Sequence, residues 1–118
     1  MKTYMAVYTG APSAFDAYQK KFSDPEKRKA NEKAGMEAWM KWGRDHEKAI
    51  VENGGPLGRT KRVTKKGIAD VRNNLAGYTV VRAKSQDEAA KMFENHPHFT
   101  IFPGERVEIM PVLPIPTG

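Results

Sequence analysis

The chain has 118 residues, enough for one domain with one core. Two Trp, four Tyr and five Phe are more aromatic mass than a disordered chain carries, and the absence of Cys excludes disulfides, thiol nucleophiles, iron–sulfur clusters and Cys-based zinc sites. A net charge of +6 admits an acidic partner without requiring one.

Met1-Lys2-Thr3-Tyr4 lacks the apolar stretch of a signal peptide, and no apolar run approaches membrane-spanning length. The expectation is a soluble, cytoplasmic, single-domain protein over residues 1–118. Thr3 to Tyr8 is rich in strand formers, and Gly10 and Pro12 end it. Phe15, Tyr18 and Phe22 fall at helical spacing and predict a short helix over 13–22. Ser23-Asp24-Pro25-Glu26 predicts a helix start with a Ser23–Glu26 capping box. That helix is expected to run to about Asn53, where Gly54-Gly55-Pro56 stops it. Met36, Trp39, Met40, Gly43, Glu47 and Ile50 form its predicted inner face.

Leu57 to Thr64 reads as a second strand, followed by a turn at Lys65-Lys66-Gly67 and a loop or broken strand over 68–75. Gly77 to Ala83 reads as a third strand. Ser85-Gln86-Asp87-Glu88 is a capping box, so a helix follows and ends before Pro97. Arg106 to Val112 is the last strand, with a Pro-rich extended tail behind it. The order β-α-β-β-α-β predicts an α+β, ferredoxin-like fold: one four-stranded antiparallel sheet with both helices on one face. Its strands are apolar on both sides. The uncovered side therefore predicts a homodimer in which two sheets face each other.

Three segments resemble the YCII-related family of small dimeric α+β-barrel proteins. They are 39-WMKWGRDHEKAIVENGGPLG-58, 77-GYTVVRAKSQDEAAKMFENHPHF-99 and 105-ERVEIMPV-112. The Trp-x-x-Trp helix before Gly-Gly-Pro-Leu-Gly, the Gly-Tyr strand and His-Pro-His-Phe carry the likeness; residues 11–35 lie outside it. The resemblance implies a ferredoxin-like monomer, a dimer built through the sheets, and a pocket between sheet and helices where a His–Asp pair sits. It assigns no reaction.

His46 is the first candidate catalytic residue, because an imidazole on the margin of the inner face beside Trp39 suits acid–base work near neutral pH. His98 is the second, at the start of the segment that leads to the last strand; His96 is expected to terminate the preceding helix. Asp70 is the acidic partner that the resemblance suggests. Glu47, Arg62, Trp39 and Tyr78 are the candidate substrate contacts, Arg62 through a bidentate carboxylate pair. His-x-His would need a third ligand to hold a metal, so no metal and no cofactor are expected. The basic run Arg59-Lys61-Arg62-Lys65-Lys66 is first of all a solvated, aggregation-resistant edge.

Three functions remain open from the residues: a small-molecule enzyme or binding protein, a non-catalytic dimeric accessory domain, and an RNA-binding module. Nucleic acid is disfavoured because Gly77-Tyr78-Thr79-Val80 places Val80 where the RNA-binding motif has a second aromatic, and a sheet-to-sheet dimer would cover that face.

Overall fold

Tyr4, Ala6 and Tyr8 alternate with Met5 and Val7, so a strand must send the two sets to opposite sides. The computed structural model describes residues 1–116 and contains six strands. They are β1 (Lys2–Thr9), β2 (Ile50–Pro56), β3 (Thr60–Thr64), β4 (Gly67–Val71), β5 (Leu75–Ala83) and β6 (Arg106–Pro111). The helices are α1 (Pro12–Lys21), α2 (Pro25–Asp45), α3 (Gln86–Lys91) and α4 (Pro97–Thr100). Four strands form one sheet in the order β2-β5-β1-β6, antiparallel at every junction. The other two, β3 and β4, pair as a separate hairpin.

Tyr4, Ala6 and Tyr8 share the covered side of the sheet with Val81 and Ala83, and all five are buried. Trp39 and Trp42 of α2, and Ala89 and Phe93 of the α3 region, pack onto them. Full burial of one such side chain is worth about 1.5–3 kcal/mol, so this layer is the main source of stability. Met5, Val7, Tyr78 and Val80 face the other way and are only half-buried. Register places Met5 opposite both Val80 and Met110, which makes a continuous apolar strip over β5, β1 and β6 on that open face.

Several local expectations need correction. Asp24, not Ser23, caps α2: its carboxylate accepts from the Glu26 amide at 3.0 Å. The helix stops at Asp45 instead of Asn53. The chain turns at His46, whose carbonyl takes the amides of Ala49 and Ile50, and the β-branched Ile50 and Val51 then join β5. Gly54 and Gly55 belong to that strand. At Gly54 φ is +63°, and a Cβ there would meet the Tyr78 carbonyl, so this glycine permits a bulge against β5 and does not end a helix.

The predicted strand 57–64 does not join the main sheet. Its second half, Thr60 to Thr64, pairs with Gly67–Val71, which covers the first part of the expected loop or broken strand. The inner face of α2 is also rotated from the expected one. Met36 and Met40 are 52% and 53% exposed, while Gly35 is buried under the Phe102 ring. The last helix is short and broken. α3 ends at Lys91, and Asn95 at φ +57° turns the chain before α4 restarts at Pro97.

Candidate functional site

The buried face of α2 presents Trp39 and Trp42 three residues apart and His46 four further on, so the three rings follow one side of the helix. His96 and His98 arrive from the opposite direction, at the N-terminal end of α4. All three histidines of the chain converge on one aromatic cluster. His96 lies 4.5 Å from the Trp39 ring, 4.7 Å from Trp42 and 5.2 Å from Tyr8. His46 lies 5.1 Å from Trp42 on the outer side of the cluster and is half-buried.

Hydrogen bonds fix the protonation states inside. His96 caps α4: its Nδ1 accepts from the His98 amide at 3.0 Å. Burial, reinforced by the other two histidines, pushes its pKa down to about 3, so the ring is neutral at physiological pH. With Nδ1 accepting, the ring proton resides on Nε2. That Nε2 is fully buried and has no hydrogen-bond partner, the one such side-chain atom among the described residues. His98 differs. Its Nε2 donates to the Thr9 carbonyl at 2.8 Å, which leaves Nδ1 with a lone pair. Burial lowers its pKa too, and the Thr9 bond partly opposes this.

The floor of the cluster is equally constrained. Tyr8 donates to the Thr79 hydroxyl at 2.8 Å, and Thr79 donates onward to the Asn53 carbonyl at 3.2 Å. Burial raises the Tyr8 pKa to about 12, so the phenol stays neutral. The Trp42 indole N–H donates to the Met92 carbonyl at 2.7 Å. Gly104 lies against His98, where any Cβ would overlap the imidazole. Phe102, seated on Gly35, faces Trp39 at 6.1 Å. Its ring also lines an open cleft of about 450 Å³ between α1 and residues 100–103, along with Tyr18, Lys21, Asn31 and Ile101. The cleft therefore abuts the cluster.

Of the residues singled out from the sequence, Trp39, His46 and His98 come together. Glu47 is exposed just beyond α2. Asp70 and Arg62 are on the β3–β4 hairpin, where Asp70 is paired with Lys61 at 2.8 Å. No ion pair joins a histidine to a carboxylate among the described residues. Tyr78 lies on the open face and donates to Glu52 at 2.9 Å, a bond that raises its pKa. Tyr8, Trp42, Phe93 and the unpaired nitrogen of His96 were not singled out. The i, i+3 spacing of the tryptophans was the available signal for Trp42. Nothing local distinguishes His96 from His98. No group of three or more His, Asp or Glu among the described residues is placed to hold a metal ion, and no helix there is long and apolar enough to cross a membrane.

No protein-family model and no curated protein matches the chain. A solved structure does match. It is 5-chloro-2-hydroxyhydroquinone dehydrochlorinase (TftG) from Burkholderia phenoliruptrix AC1100, in complex with 2,5-dihydroxybenzoquinone. The TM-score is 0.51 at 15% identity, over 92% of this chain and 90% of that one. The two proteins share the mixed α+β fold.

Proposed function

We propose that this protein binds, and transforms by histidine chemistry, a small molecule held between the sheet and the helices. In this reading it is a cytoplasmic, ferredoxin-like homodimer of the YCII-related type. The observation that carries the proposal is the His96 Nε2–H, a buried donor without an acceptor inside an aromatic cage. Leaving such a group unpaired costs about 1–3 kcal/mol, a cost relieved by a ligand oxygen that accepts from it. A neutral imidazole of this kind polarises a carbonyl or stabilises an enolate as a hydrogen-bond donor; it does not serve as the base. His46, on the outer margin, is the group assigned to proton transfer, with the His98 amide orienting the His96 imidazole through its Nδ1.

The test is a thermal-shift screen of oxygenated ring compounds, with 2,5-dihydroxybenzoquinone among the probes, on the wild type beside His46→Ala and His98→Ala. A ligand at a hundredfold excess over its Kd stabilises the native state by about 2.7 kcal/mol. The expected result is a wild-type shift that shrinks in both variants. A hit that stabilises all three proteins equally would refute the site. A screen without hits, on variants that merely melt lower, would favour the accessory-domain reading.

A further inference from the structure

The β2–β5 ladder does not end with the sheet. Pro56 pairs with Gly77, the Leu57 amide donates to the Ala76 carbonyl at 2.9 Å, and the chain then runs on into the β3–β4 hairpin. Asn73 donates to the Thr60 hydroxyl at 3.2 Å and closes the hairpin's base. Beyond that base every residue from Lys61 to Asp70 is exposed. A lone two-stranded hairpin is at best marginally stable in water. This one also carries an uncovered apolar pair. Val63 and Ile68 stand directly opposite each other, on one side of the ribbon, 74% and 71% exposed.

The chain's own body does not supply the cover. The radius of gyration is 16.4 Å, against about 13–14 Å for a compact domain of this length. The longest dimension is 57 Å, whereas the nine-residue β5 spans roughly 30 Å. We propose that the β3–β4 hairpin is an arm that lies on the body of a second copy of this chain and buries Val63 and Ile68 there. The inference rests on the homodimer proposed above and adds the element that clamps it.

Area points to a second copy, and charge constrains how it packs. Residues 59–72 hold six bases (Arg59, Lys61, Arg62, Lys65, Lys66, Arg72) against one acid, Asp70, a net +5 of the chain's +6. Two such arms repel each other, so in a symmetric pair each must lie on its partner's body and not along the other arm. The rest of the chain carries fourteen bases against thirteen acids, so a partner's body, at a net +1, repels the arm far less than the partner's arm does. On β6, Glu108 shares the open side of the sheet with Met110, next to Met5 and Val7. That open side offers a flat footprint of about 450 Å², given strands about 4.8 Å apart. A stable interface takes about 800 Å² from each partner. One side of a five-residue ribbon adds roughly 150 Å² where it is given and as much again where it is received, which closes most of the gap.

The experiment is sedimentation of the full chain over a concentration series, for wild type and for V63D/I68D. It is paired with timed trypsin nicking at Lys65 and Lys66, with and without heparin as a polyanion. Both substituted side chains are exposed in the monomer, and a matching circular-dichroism spectrum verifies the variant's fold. The expected result is a wild-type dimer, at least tenfold weaker association of the variant, and nicking that slows as wild-type concentration rises. A variant that dimerises like wild type, with nicking indifferent to concentration, overturns the arm and leaves the homodimer standing. A wild type that stays monomeric overturns both. Protection by heparin with none from concentration assigns the arm to a polyanion and overturns the proposal.

Discussion

The His–Trp cluster and the β3–β4 hairpin both bring apolar side chains together, under opposite conditions. In the cluster, residues from β1, α2 and α4 meet from three directions, and among the described residues every fully buried side-chain polar atom but the His96 Nε2 is hydrogen-bonded. In the hairpin, two strands meet only each other, and no residue from Lys61 to Asp70 is buried. Stability therefore belongs to the first region. The second is poised to respond to something outside the chain. The contrast makes quantitative predictions, because substitutions in the two regions should differ by an order of magnitude in effect.

The largest effect is expected at His96. Truncation to Ala removes a ring packed against Tyr8, Trp39, Trp42 and Phe93, and it also removes the α4 cap. Loss of a buried ring of this size costs about 3–5 kcal/mol. Denaturant unfolding of His96→Ala should show it as a lower midpoint at unchanged slope. His96→Phe keeps a ring in place and loses the cap together with the unpaired Nε2–H, so it should recover more than half of that loss.

Gly104→Ala comes next. The new methyl would overlap the His98 imidazole, and the Thr9 bond pins that imidazole in place. Overpacking of this kind costs typically 1–3 kcal/mol. Chemical denaturation of the single variant measures it. A cost below about 0.5 kcal/mol would mean that the His98 ring is free to move, contrary to its tight seat against Gly104.

Acidification separates the two regions without a mutation. His96 titrates near its ordinary 6.5 in the unfolded chain and near 3 in the native one. Between those values the unfolded chain binds the proton and the native state does not. The contribution is thus complete above pH 6.5 and declines as pH falls toward 3. At about 1.4 kcal/mol per pH unit, roughly 2 kcal/mol is gone by pH 5. Urea titrations from pH 7 to pH 4 should give that slope in the wild type and a flatter one in His96→Phe.

The limits of the sequence follow the same divide. The alternation in β1 and β5, the Ser85 cap and the apolar open face were all legible, because each rests on local periodicity or a short polar signature. The four-stranded antiparallel sheet with helices follows from them. The end of α2 was not legible. Gly54-Gly55-Pro56 has the composition of a helix stop, and only contact with Tyr78 across the ladder makes it a bulge. The hairpin reads as a strand followed by a loop or broken strand because its β-propensity is diluted by charge, and nothing local shows that it leaves the main sheet. At the cluster, Trp39 and His46 were legible from helical spacing. His96 was not, since its orphaned nitrogen is a product of tertiary burial.

The smallest effect is expected in the hairpin, and it sharpens the comparison most. Lys61 and Asp70 form an ion pair at 2.8 Å between directly opposed residues, with side chains 71% and 84% exposed. Such a pair gains little from Coulomb attraction in water and costs side-chain entropy, so measured values fall in the range of about 0–1 kcal/mol. In a monomer, Lys61→Ala should change global stability by less than about 0.5 kcal/mol, although it severs the one side-chain bond between strands β3 and β4 among the described residues. The fold does not depend on the arm: the main sheet, its core and the cluster are complete without it. The pair has a different consequence. It neutralises one charge on the same side of the ribbon as Val63 and Ile68, so that side is less basic than the one bearing Arg62. Lys61→Ala should leave the unfolding midpoint at low protein concentration where it was. At high concentration it should shift sedimentation less than V63D/I68D does, because apolar burial and not this ion pair is what the arm contributes.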